Sequence, residues 1–135
     1  MPRPDPVAAL LRLRRIEMRQ ATLRMAAGLA DVARAEAALA EADAGVARET
    51  AAADPATLAA WLPRAWLERR RTVLAGQRAG AAVDQARDAM GTAHAALRVV
   101  EAAAARHAAD RRRRVLAAEQ RGLDDLPRPA TPPQA

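Results

Sequence analysis

Few side chains in this sequence could do chemistry. His94 and His107 are its two histidines, and thirteen residues separate them, too many to set two metal ligands on one helical face. Only His107 with Asp110 has a usable spacing, so no metal site is expected. The acid pairs Asp84 with Asp88 and Asp124 with Asp125 lie beside arginines, as salt-bridged surface does. The chain has no Ser, Cys or Lys. It therefore lacks the usual hydroxyl or thiol nucleophile, a Schiff-base amine and the lysine of a P-loop. No glycine-rich loop follows a strand, because no strand pattern is present. The sequence implies a protein that is not an enzyme, carries no cofactor and acts by contact.

The residues suited to contact are arginines. There are 22 of them against 16 acids, a net charge of +6 with a pI near 11.5, which points to acidic partners. Residues 1–24 hold Arg3, Arg12, Arg14, Arg15, Arg19 and Arg24 against Asp5 and Glu17. Residues 106–121 hold Arg106, the run Arg111, Arg112, Arg113 and Arg114, and Arg121 against Asp110 and Glu119. These two stretches carry +8 together, leaving −2 for the rest. Four consecutive arginines sweep about one full helical turn, so the run encircles its helix, which a merely solvated face would not require.

The elements that position these residues are helices. Forty of the 135 residues are alanine, and Tyr and Phe are absent, so apolar surface must be buried along a thin seam between helices. Asp5-Pro6 and Asp54-Pro55 each put an N-cap acceptor ahead of a proline at the first helical position. The expected architecture is all-α: two long helices in an antiparallel coiled-coil hairpin spanning 7–126, with disordered proline-rich tails at 1–6 and 127–135. Helix 1 is expected over about 6–50, the turn over about 51–62 and helix 2 over about 63–122. Pro63 either starts the long second helix or kinks it.

Heptads define the seam. Leu11, Met18, Met25, Val32, Leu39 and Val46 recur every seven residues, with Ala21, Gly28, Ala35 and Ala42 three positions on. In the second helix Val83, Met90 and Leu97 form the long row, and Ala79, Ala86 and Ala93 the small one. Antiparallel packing then sets large residues against small: Met25 faces Ala86 or Ala93, and Gly28 faces Val83 or Met90. A long turn favours Met25 opposite Ala93 and brings Glu49 near Arg69. The same pairing gathers both basic stretches into one tip at the open end. Trp61 and Trp66, the only large aromatics, flank Pro63 at the other end, as a plug for the coil or as a partner contact.

The segment Glu119-Gln120-Arg121-Gly122-Leu123-Asp124-Asp125-Leu126 resembles the closing pattern of the flagellar export protein FliJ family, Glu-Gln, two variable residues, then Leu-Asp-acid. The arginine-rich stretch before it is similar to the family's basic residues there. Ala35-Glu36 with Leu39 resembles its Ala-Glu-x-x-Leu pattern, and Trp66-Leu67 with Leu74 and Gln77 its aromatic-led start of helix 2. The resemblance covers roughly residues 7–126, with specificity mainly in the closing pattern. It departs at Ala42, Gly45 and Glu49, where some members carry tyrosines. The resemblance implies a coiled-coil stalk of the type III export apparatus. Its paired termini would enter the hexameric export ATPase, with Arg12, Arg14, Arg15, Arg19, Arg111, Arg112, Arg113, Arg114 and Arg121 as ring contacts. The turn-side half, with Trp61, Trp66 and Leu67, would meet the membrane export-gate protein and export chaperones.

The location implied is cytoplasmic, peripheral at the cytoplasmic face of the inner membrane. No signal peptide is visible, and no stretch reaches the roughly 20 apolar residues needed to insert in a bilayer. Three other readings compete. An injectisome stalk shares the fold and partner class. A basic nucleic-acid-binding protein is disfavoured by the lack of stacking aromatics and of any base-reading Asn, so no nucleic acid is expected. A granule-coating helical protein would leave an exposed apolar stripe once the seam is closed.

Overall fold

The computed structural model describes residues 5–127, 129 and 132–134. Two helices, α1 (Pro6–Ala52) and α2 (Pro55–Asp124), lie antiparallel against each other, and no strand occurs among the described residues. Both begin where an aspartate precedes a proline. The Asp5 carboxylate accepts from the Val7 amide at 3.0 Å. Asp54 accepts from the amides of Ala56 and Thr57, each at 3.1 Å, and from the Thr57 hydroxyl at 2.6 Å. These bonds satisfy donors that a helix start leaves without partners.

The turn is much shorter than the expected 51–62. Only Ala53 and Asp54, both extended, separate the helices, and the Ala53 amide closes α1 by donating to the Glu49 carbonyl. Pro63 does not start the long second helix: α2 already runs from Pro55 and continues through it. An internal proline costs about 3 kcal/mol through its missing N–H and its clash with the preceding turn. The triple cap at Asp54 and eight helical residues ahead of Pro63 hold the helix in place despite that cost. Gly122 does not end α2 either. The helix closes at Asp124, with the Asp125 amide reaching the carbonyls of Arg121 and Leu123. Asp5 and Pro6 are the cap and first residue of α1, as the Asp5-Pro6 pattern predicts, and so do not belong to the tail expected over 1–6. Residues 1–4 of that tail, and 128, 130, 131 and 135 of the other, lie outside the described residues.

The short turn fixes the register. Gly28 meets Val83, where a Cβ on the glycine would sit 3.1 Å from Val83 Cγ2, and Gly76 meets Ala35. Asp43 accepts a 2.6 Å bond from Arg69 Nε. The paired residue numbers sum to 111, 111 and 112. That constant places Met25 level with Ala86, one heptad from the expected Ala93, and Arg69 with Asp43 in place of Glu49. The seam is thin, as the alanines imply. Ala21, Gly28, Val83 and Val100 are its buried residues, and among the described residues no large side chain is fully enclosed.

Candidate functional site at the open end

Unequal helix length and the pairing register build this site together. α1 has 47 residues and α2 has 70. With paired numbers summing to 111, Pro6 stands level with Ala105, and among the described residues no further turn of α1 lies beside α2 from Arg106 to Asp124. At 1.5 Å per residue this lone segment is about 28 Å long. Every described residue from Asp110 onward is exposed.

The basic stretches are therefore not side by side. Arg12, Arg14, Arg15 and Arg19 sit on α1 where it pairs with the part of α2 that precedes Arg106, while Arg111, Arg112, Arg113, Arg114 and Arg121 lie farther out on the lone helix. This corrects the expected common tip: a turn about one heptad shorter shifts α2 outward relative to α1. One ion pair bridges the two zones, Arg111 Nη1 to the Asp5 carboxylate at 3.8 Å. Arg14 is half-buried and bonds Glu17 at 2.8 Å, and Arg113 pairs with Asp110 at 3.5 Å. Arg12, Arg15, Arg19, Arg112 and Arg114 are exposed and form no ion pair with a described residue. The end of the rod is thus a single arginine-ringed helix.

The closing residues lie on this same helix. Gln120 donates to Asp124 at 3.2 Å, Arg121 Nε donates to the Ala117 carbonyl at 3.1 Å, and Glu119 and Leu123 are exposed. Charge patterning alone missed an apolar component. Ala108, Arg111, Arg112, Val115, Leu116 and Glu119 line one shallow trough, in which Val115 and Leu116 are 56% and 64% exposed. The signal was present as Val115 seven residues after Ala108. A second uncovered stripe runs along α1, where Leu13, Ile16 and Leu23 are all exposed. Its spacing of three and seven was equally readable.

At the turn end, Trp66 and Leu67 are exposed and Trp61 is half-buried, lining a hollow with Ala42, Gly45, Arg64, Ala65 and Glu68. The Arg69 guanidinium lies 5.9 Å from the centre of the Trp66 ring while its Nε holds Asp43, so one arginine links the aromatic to the opposite helix. Half-buried Trp61 fits the expected plug for the coil, while Trp66 is left exposed.

His94 and His107 are exposed, and no three His, Cys, Asp or Glu side chains gather as a metal cluster among the described residues. Neither helix is long and apolar enough to cross a membrane. No protein-family model, curated protein or solved structure matches this chain.

Proposed function

We propose that this protein is a non-catalytic stalk of a type III protein export apparatus, flagellar in preference to injectisome, as its resemblance to the FliJ family implies. The observation that carries the reading is the lone helix with Arg111 to Arg114 around its circumference, about 28 Å long and one helix wide. A slender basic end suits the acidic-lined pore of a ring, because desolvated arginines gain most from carboxylates that surround them. The hexameric export ATPase is the proposed partner there. Arg12, Arg15 and Arg19 would meet the rim of the ring, since they sit behind the lone segment. Exposed Trp66 and Leu67 are the proposed contacts for the membrane export-gate protein or export chaperones, with Trp61 supporting them from the seam. The proposed location is the cytoplasmic face of the inner membrane.

The test is ATPase stimulation. Reversing Arg111, Arg112, Arg113 and Arg114 to Glu should abolish stimulation and ring assembly of the cognate export ATPase; unchanged stimulation would overturn the reading.

The exposed Leu13, Ile16 and Leu23 stripe favours a second reading, a helical coat on an apolar granule surface. Cosedimentation of the wild-type chain with granules, lost in Leu13→Glu/Leu23→Glu, would support it over the first.

A further inference from the structure

The lone segment of α2 carries an apolar stripe of its own. At 100° per residue, Arg112 and Glu119 fall within about 20° of each other, and Ala108 and Leu123 lie within about 30° of their mean direction. Ala108, Arg112, Val115, Leu116, Glu119 and Leu123 thus share one face, exposed except at half-buried Ala108. Arg113 and Arg114 turn away from it.

This stripe is complementary to itself. About a midpoint between Val115 and Leu116, Arg112 and Glu119 are equidistant, as are Ala108 and Leu123. Running the stripe against an antiparallel copy sets Arg112 beside Glu119 of the second copy and Glu119 beside its Arg112. The same operation puts Val115 against Leu116 and small Ala108 against large Leu123, the pairing of sizes already used at Gly28 and Val83. A uniformly acidic partner would satisfy Arg112 but oppose Glu119. His107 also comes level with Asp124 of the other copy.

We propose that the lone end of α2 pairs antiparallel with the same segment of a second copy, forming a two-fold dimer centred between Val115 and Leu116. Such an interface is isologous, so each charged pair occurs twice. The proposal does not depend on the export reading, although the dimer would hold the arginine helix away from any ring and make the two states exclusive.

Sedimentation equilibrium of the full-length chain across micromolar to millimolar concentration tests it. The wild type should pass from monomer to dimer. Arg112→Glu and Glu119→Arg should each weaken dimerisation at least about tenfold, because each places like charges together twice. The combined Arg112→Glu/Glu119→Arg chain should recover dimerisation. A wild type that stays monomeric, single variants that dimerise unchanged, or a double variant that fails to recover would each overturn the proposal. Both positions are exposed and outside the hairpin contact, and unchanged helical circular dichroism verifies that each variant is folded.

Discussion

Gly28 and Val83 make the closest described approach at a glycine: a Cβ on residue 28 would lie 3.1 Å from Val83 Cγ2, with the Val83 backbone nitrogen at 3.9 Å. Valine in a helix has one strongly preferred rotamer, so it yields little. Gly28→Val should therefore destabilise the hairpin by about 1–3 kcal/mol through overpacking. At Gly80 and Gly91 an added Cβ meets nothing within 4 Å. Alanine there should stabilise by about 1 kcal/mol each through helix propensity. Thermal denaturation of the three variants checks the contrast, which vanishes if Gly28 is not at the seam.

The cap at Asp54 gives stability a pH dependence. The Thr57 hydroxyl, then the Thr57 amide, hold the Asp54 carboxyl below its ordinary value of 3.8. A lowered folded-state pKa adds stability that is present above the unfolded value and is lost as pH falls through the lowered one. Asp54→Asn keeps a capping acceptor but cannot titrate. The stability difference between wild type and Asp54→Asn should shrink as pH falls from about 5 to about 2, read by chemical denaturation at each pH. Parallel curves would show that the carboxylate is not the cap.

The lone part of α2 should be the first to open. An isolated helix of about 19 residues is marginal in water, whereas the paired length is held by the seam. In dilute protein, trypsin should cut within Arg111–Arg114 well before the Arg69–Arg71 run, which lies in the paired region. Higher protein concentration should slow the early cut if the ends pair. Equal cleavage rates at the two runs, followed by mass spectrometry, would contradict a helix that projects alone.

Much of this architecture was readable in the sequence. Asp5-Pro6 and Asp54-Pro55 marked both helix starts, and the rows through Met25 and Val83 identified the seam. The turn is shorter than the sequence suggests because Pro63 reads locally as a break, while the bonds from Ala56 and Thr57 to Asp54 set the helix start eight residues earlier, at Pro55. The shorter turn pairs Met25 with Ala86 and offsets the two basic stretches along the rod, leaving them in touch through Asp5 and Arg111. Heptads are degenerate under a seven-residue shift, so only contacts such as Gly28 with Val83 select the register. The arginines of the site were legible as composition. The exposure of Val115 and Leu116 was not, because it depends on where α1 ends relative to α2.

The projecting arginine helix follows from the register, and cysteine cross-linking measures the register directly. The chain has no cysteine, so introduced pairs report without interference. A Cβ at Gly76 would lie 3.8 Å from Ala35 Cβ, inside the roughly 3.5–4.5 Å range of disulfides. Ala35→Cys/Gly76→Cys should oxidise rapidly and completely to an intramolecular disulfide, and Ala35→Cys/Val83→Cys, one heptad farther, should not. If the second pair cross-linked in preference to the first, α2 would be drawn back by seven residues, and the account of a lone arginine-ringed end would be contradicted.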